Sequence, residues 1–225
     1  MESAVSIPKI MNSDHFNSKV TCFSKLGAIK VIAKKLNDVQ LEMFSTSCFG
    51  KLLHIKDLRF TGQLVHNLLL RQVDRDDSEE LWFALPYDNV IRFSMQEFCL
   101  VTGLYCGPYP LKDGSTNECP SGENFNQRMF PGSGKISNKS LDITFRVATS
   151  KNDEDIVKLA LLYFLETVLL GKDPKNQILR EHIRLLDDIN AFNKYPWGRC
   201  CYEMTLRGMK KDFKKMAASV GKRNK

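Results

Sequence analysis

The stretch from Glu79 to Leu104, EELWFALPYDNVIRFSMQEFCLVTGL, holds the clearest structural signals of the sequence. Two short apolar runs, Leu81–Leu85 and Val90–Phe93, flank the tetrad Pro86–Asn89. The tetrad is rich in residues that favour turns, and apolar runs on both sides of such a turn are typical of a β-hairpin. The sequence therefore predicts two paired strands between residues 81 and 93.

A helix is predicted directly after the hairpin. Ser94 stands three residues before Glu97, which is the spacing of a capping box at a helix N-terminus. Gly103 is placed to end the helix, because glycine readily adopts the left-handed conformation that closes many helices. Strand, turn, strand, cap, helix and stop follow without a gap, so we expect this stretch to be the nucleus of a folded domain.

Apolar residues at helical spacing predict further helices along the chain. They cover about 20–36, 39–44, 64–73, 156–170, 177–192 and 202–220, whereas the run from 49 to 60 is ambiguous. The run 156–170 includes Lys158 and Glu166 and is shorter than the roughly 20 residues that a membrane span needs. We therefore expect a helix buried on most sides and no membrane segment. The predicted fold class is mainly α (α+β), a helical domain with one small β-hairpin near 81–93 and a long loop insertion.

Composition along the chain predicts its domain organisation. Residues 1–15 are polar and are expected to be a flexible N-terminus, residues 16–220 to form a single helical domain, and residues 221–225 to be a basic tail end. Gly, Pro, Ser and Asn are frequent over about 105–151, which predicts a loop insertion. The predicted core consists of large apolar side chains: Phe49, Leu68, Leu69, Trp82, Phe83, Phe93, Phe98, Leu159, Leu162, Phe164, Leu165 and Trp197.

The net charge of +7 is concentrated in the C-terminal segment 207–225, which has eight basic residues and one acidic residue. In the predicted helix 202–220 the apolar residues form one stripe and the lysines lie off it. Such a helix can bind phosphate backbones, acidic partners or an anionic membrane surface, or it can dock on the core with a solvated lysine face. The residues proposed for nucleic-acid or partner contact are Arg207, Lys210, Lys211, Lys214 and Lys215.

No motif of the sequence assigns a catalytic, cofactor-binding or metal-binding residue. The segment 130–135, FPGSGK, lacks the first glycine and the final Ser or Thr of a phosphate loop, so a flexible glycine loop is expected. Cys99, Cys106 and Cys119 have no paired-ligand spacing for zinc and are interpreted as core thiols. His182, between charged residues, is interpreted as a surface residue.

Two further features bear on thiol chemistry and on location. Arg199 precedes the pair Cys200 and Cys201, which suggests a reactive thiol, although on a helix one of two neighbours usually faces inward. The N-terminus lacks the pattern of a secretory signal, so we expect reduced cysteines in a nuclear or cytoplasmic protein. The oligomeric state and the protein partner stay open.

Several phrases together resemble a plant-specific domain of unknown function. It is found in proteins of mobile-element origin, often upstream of a ubiquitin-like (SUMO-type) cysteine protease domain. The resemblance covers about Val20 to Lys215. The phrases are TSCFGKLLHI (46–55), HNLLLRQV (66–73), ELWFALP and IRFSMQEFCLVTGL within 80–104, DIVKLALLYFLETVLLGKD (155–173) and FNKYPWGR (192–199).

The resemblance implies an accessory role and supplies no catalytic residue. The associated protease domain would bring a His–Asp–Cys triad, whose local arrangements do not occur in this sequence. We therefore expect a non-catalytic protein-interaction domain, either stand-alone or a fragment of a longer reading frame. The alternative is nucleic-acid binding, to DNA or RNA, through the basic helix 202–220.

Overall fold

The computed structural model of the 225-residue chain describes residues 8, 10, 13, 15–17, 19–55, 57–73, 79–87, 89–110 and 124–210. Within these residues, no helix is both long and apolar enough to cross a membrane. The strands are β1 (Gln72–Val73), β2 (Leu81–Ala84) and β3 (Val90–Phe93). The helices are α1 (Gly27–Lys35), α2 (Asp38–Ser45), α3 (Gly62–Leu70), α4 (Met95–Thr102), α5 (Phe125–Met129), α6 (Asn138–Val147), α7 (Asp153–Phe164), α8 (Arg180–Arg184), α9 (Ile189–Lys194) and α10 (Trp197–Met209).

Contacts divide the chain into two compact units. Unit 1 comprises Met1–Cys22, Phe60–Thr102 and Gly198–Lys225, and unit 2 comprises Phe23–Arg59 and Gly103–Trp197. The single domain over 16–220 stays a prediction. The mainly helical fold with a small β-hairpin is confirmed.

Unit 1 contains a three-stranded antiparallel sheet in the order β1-β2-β3. The predicted hairpin is its main part, with Leu81 opposite Phe93 and Ala84 opposite Val90. Leu81 and Phe83 are buried whereas Trp82 between them is half-buried, as expected for side chains that alternate across a strand. Strand β1 was not predicted, because its two residues, Gln72 and Val73, were included in the helix predicted over 64–73.

Helix α4 begins and ends as the sequence predicts. The Ser94 backbone N–H donates to Glu97 Oε2 at 2.6 Å, and Arg92 Nη2 donates to Glu97 Oε1 at 3.0 Å. Gly103 follows the helix with φ +67°, a left-handed conformation that side chains other than glycine rarely adopt. One side of the helix is anchored by Phe98, whose ring centroid lies 5.8 Å from that of Tyr202.

Unit 2 is built around α7. All residues of this helix from Asp155 to Phe164 are buried, so the predicted helix that is buried on most sides is confirmed. Asn152 caps it by accepting a hydrogen bond from the Glu154 N–H at 3.0 Å. A π-helical turn, Leu165–Leu169, continues α7, and Gly171 ends it with φ +51°. At Gly171 a Cβ atom would lie 2.9 Å from the Ser24 backbone nitrogen, so both conformation and space require glycine.

Aromatic side chains fill the space beside α7. Phe49 has its ring centroid 5.3 Å from that of Phe164 and 5.7 Å from that of Phe192. Trp197 lies 5.0 Å from Phe192 and donates its indole N–H to the Phe192 carbonyl at 2.8 Å. Most of the predicted core is buried; Leu68, Trp82, Phe93 and Phe98 are half-buried.

Four predicted segments differ in the structure. The helix predicted over 20–36 begins only at Gly27, and the one over 64–73 ends at Leu70. The helix predicted over 177–192 is divided, because extended Asp188 caps α9 by accepting hydrogen bonds from two backbone N–H groups. The segment 105–151, predicted as a loop insertion, contains α5 and α6, whose capping boxes begin at Asn124 and Ser137. In the predicted flexible segment 1–15, the described Ile10 is buried.

The capping interaction makes a prediction about pH. Hydrogen bonds from Ser94, together with one from Arg92, lower the pKa of Glu97 from 4.5 to about 2. Because the pKa is lower in the folded state, this carboxylate stabilises the fold above pH 4.5 and loses the contribution as the pH falls from 4.5 towards 2. We expect Glu97→Gln to lower the thermal unfolding midpoint at pH 7, and the difference from wild type to shrink between pH 5 and pH 3.

The control for this experiment is Glu42→Gln, which changes an exposed glutamate on α2. Its difference from wild type should stay small over the whole pH range. A Glu97→Gln difference that does not depend on pH would show that the ionised carboxylate contributes nothing to the cap.

Candidate functional site

The proposed basic contact residues are only partly described. Arg207 is exposed on α10 and donates from Nε to the Glu203 carbonyl at 3.3 Å. Lys210 directly follows α10, and its backbone N–H donates to the Leu206 carbonyl at 2.9 Å. Lys211, Lys214 and Lys215 lie outside the described residues. Their role in binding nucleic acid or a partner stays a prediction.

Helix α4 exposes apolar side chains. None of its residues is buried, although five of the eight are apolar. Leu100 is 85% exposed and Val101 is 84% exposed. Leu100 lies about 200° around the helix from the anchored Phe98, because successive residues are rotated by about 100°. We call Leu100 and Val101 the α4 patch.

A buried ionic cluster lies in unit 2, where no sequence motif indicates a function. Glu166, in the π-helical turn, is 0% exposed, and its Oε1 lies 2.5 Å from His182 Nδ1. Lys172 Nζ lies 3.1 Å from the other carboxylate oxygen as an ion pair. The imidazole is edge-on to the Trp197 ring at 5.3 Å between centroids. We call Glu166, His182 and Lys172 the buried ionic cluster.

The interpretation of His182 as a surface residue is wrong. The side chain is 3% exposed, because α8 turns it towards α7 and its carboxylate partner. In the described part of the chain, the ring makes no hydrogen bond to a serine or cysteine. The contact with Glu166 fixes the orientation of the imidazole ring and places no nucleophile beside it among the described residues.

The glycine loop contains a turn. Gly132 of FPGSGK has φ +71°, and the Ser133 N–H donates to the Phe130 carbonyl at 3.1 Å. The left-handed glycine and this hydrogen bond give a turn conformation to a segment that the sequence predicts only as a flexible loop.

The cysteines differ from the sequence-based expectation. Burial raises the pKa of Cys201 to about 12, which keeps this thiol protonated and opposes the reactive-thiol hypothesis. Cys99 and Cys106 each take part in a disulfide, so their interpretation as reduced core thiols is wrong. Cys119 lies outside the described residues.

A metal site would need several ligating side chains close together. Across the described ranges, no group of three or more His, Cys, Asp or Glu side chains is arranged to hold a metal ion. The buried ionic cluster has only two such residues, and its third member is a lysine.

The buried ionic cluster makes a prediction about stability. Replacing Glu166 with alanine leaves the buried His182 and the half-buried Lys172 without their shared partner. Removing one member of a buried ion pair costs about 3–5 kcal/mol. We therefore expect Glu166→Ala to lower the free energy of unfolding by that amount in a urea titration. Trp197 fluorescence should change as well, because its neighbour His182 loses its hydrogen bond.

Asp57→Ala is the matched control. It removes the carboxylate of the exposed Lys30–Asp57 pair, whose atoms are 3.9 Å apart, and should cost about 1 kcal/mol or less. If Glu166→Ala cost no more than this control, the buried ionic cluster would have no structural role.

Comparison with known proteins places the chain in a family. No curated protein matches the chain, and no solved structure matches it either. The family model described as a domain of unknown function (DUF1985) matches residues 69–208. This match includes the sheet strands β1–β3, helix α4 and the buried ionic cluster. It spans more than half of the sequence, and the chain therefore belongs to the DUF1985 family.

Proposed function

We propose that this chain is a non-catalytic protein-interaction domain, an accessory domain of a transposon-derived plant protein family. The α4 patch is the observation that carries the proposal. Exposed apolar side chains next to each other on one helix are removed from water when a partner covers them, which is the usual driving force for protein association. In the folded chain by itself, most of the surface of Leu100 and Val101 is exposed to water.

The α4 patch is displayed by a rigid element. The cap at Glu97, the packing of Phe98 on Tyr202 and the left-handed Gly103 fix the start, one side and the end of the helix. A preorganised surface binds more tightly, because less side-chain and backbone freedom is given up on association. The patch is thus suited to a partner with a complementary apolar surface.

The sequence resemblance supports the rest of the proposal. It connects the chain with plant mobile-element proteins, in which the similar domain often precedes a SUMO-type protease domain. It supplies no catalytic residue to this chain. We therefore propose an accessory protein that acts by binding another protein.

The double variant Leu100→Asp/Val101→Asp tests the α4 patch. Both sites are exposed but lie in the last turn of α4, where carboxylates oppose the helix dipole, so the free energy of unfolding should fall by about 1 kcal/mol. Binding of a partner that covers the patch should weaken tenfold or more, since buried charges without partners oppose association. The measurement is quantitative affinity purification from nuclear extract, followed by titration of the purified partner.

Ile143→Asp/Val147→Asp is the matched control, since it makes the same change at an exposed apolar pair on α6. It should retain the partner. Equal recovery by both double variants would reject the α4 patch as the interface. Processing of a SUMO precursor by the purified chain would reject the non-catalytic part of the proposal.

Nucleic-acid binding through the basic C-terminal helix is the second candidate. The observation that favours it is the location of the charge, since the segment 207–225 accounts for the whole net charge of +7. Clustered lysines can replace the counterions around a phosphate backbone, and this makes the affinity depend steeply on salt.

Lysine neutralisation tests this candidate. We expect duplex DNA to bind the full chain with a Kd that rises steeply between about 50 and 200 mM salt. Replacing Lys211, Lys214 and Lys215 with glutamine should reduce the slope of log K against log salt by about 0.9 for each phosphate that is no longer neutralised. The measurement is fluorescence anisotropy.

Neutralising Lys30, Lys34 and Lys139 is the control. An equal reduction of the salt dependence in both triple variants would show non-specific attraction to positive charge.

A further inference from the structure

A cavity of about 510 Å³ lies in unit 2 between the glycine loop and helix α8. Ser133–Ile136 form one side of the cavity, and Gln177 and Ile178 form another. Residues of α8 and the start of α5 complete it. Its volume lies in the range of small-molecule binding sites, about 300–1,000 Å³.

Backbone hydrogen bonds hold two walls of the cavity together. The Ile178 N–H donates to the Ile136 carbonyl at 2.8 Å, and the Asn138 N–H donates to the Asn176 carbonyl at 3.0 Å. Ser137 and Gln177 form an isolated β-bridge between these bonds. The chain segments on both sides of the cavity are therefore fixed before any ligand arrives.

Three cationic side chains line this preformed cavity. Lys135 comes from the glycine loop, and Arg180 and Arg184 come from α8. Arg180 Nη2 also donates to the Gly134 carbonyl at 3.4 Å, a long hydrogen bond that keeps this guanidinium at the loop. Within the described ranges, neither Lys135 nor Arg184 forms an ion pair. Positive charge thus converges from two elements on one space.

The single acidic residue of the lining does not cancel this charge. Asp187 Oδ1 accepts a hydrogen bond from the Phe125 backbone N–H at 2.8 Å, at the first residue of α5. Three cations against one carboxylate leave the lining with an excess of two positive charges. Guanidinium groups suit phosphate in particular, because their planar donors match two phosphate oxygens at once.

We propose that this cavity binds a small phosphate monoester of about the size of a nucleoside monophosphate. The phosphate contacts Lys135, Arg180 and Arg184. The body of the ligand lies against the isoleucine side chains of the lining, Ile136, Ile178 and Ile183. The site lies apart from the α4 patch along the chain and does not depend on the proposed protein-interaction function.

Calorimetric titration of the full chain with AMP, inorganic phosphate and adenosine tests the proposal. We expect saturable AMP binding, weaker phosphate binding and no adenosine binding. Arg184→Gln and Lys135→Met should each weaken AMP binding by about tenfold or more, because each removes a charge-assisted hydrogen bond to phosphate. Both residues are exposed, so these variants should fold as the wild type does.

Lys139→Met is the control, since this exposed lysine does not line the cavity, and its AMP affinity should equal that of the wild type. Three results would overturn the proposal: no AMP binding at millimolar concentration, adenosine binding as tightly as AMP, or equal weakening in Lys139→Met and Arg184→Gln. Phosphate binding without AMP binding would overturn the size and chemistry assigned to the ligand.

Discussion

The pairing of buried charges in and beside α7 is the constraint on which unit 2 depends. Asp155, Lys158 and Glu166 belong to the most buried segment of the chain, where an unpaired charge would be strongly destabilising. Arg128 pairs with Asp155 at 2.8 Å, Glu154 with Lys158 at 2.7 Å, and Glu166 lies beside His182 and Lys172 in the buried ionic cluster. The Glu154–Lys158 pair lies within α7, whereas Arg128 of α5 and His182 of α8 belong to other helices. The pairs to Asp155 and Glu166 therefore help to determine which segments lie against the central helix.

The contact between His182 and Glu166 also orients α8 and so directs the α8 side chains that line the cavity. His182 faces inward to Glu166, and the residues two before and two after it, Arg180 and Arg184, line the cavity. Positions two apart on a helix lie about 160° apart around the axis, so anchoring one directs its neighbours away from the core. The buried contact between His182 and Glu166 thereby places the cations of the proposed phosphate site.

Structural elements that depend on residues close together in the sequence were predicted well. Contacts between residues far apart in the sequence were not predicted. The hairpin and the cap of α4 depend on residues within a few positions of each other, so Ser94, Glu97 and Gly103 were sufficient. The burial of His182 depends on a partner 16 residues away in sequence, and its charged neighbours indicated the opposite. The cavity likewise joins a glycine loop to a helix whose Arg180 lies 46 residues after Gly134, and no local motif encodes that proximity.

The exposure of α4 cannot be explained by the stability of the chain alone. A leucine that is 85% exposed contributes almost nothing to the hydrophobic stabilisation of the fold, and a polar residue at that position would satisfy the helix equally well. The capping network and Phe98 hold the helix without help from Leu100 or Val101. A rigid helix that presents apolar side chains to water has a physical rationale when another surface covers it, and the α4 patch therefore agrees with the proposed role in binding a protein partner.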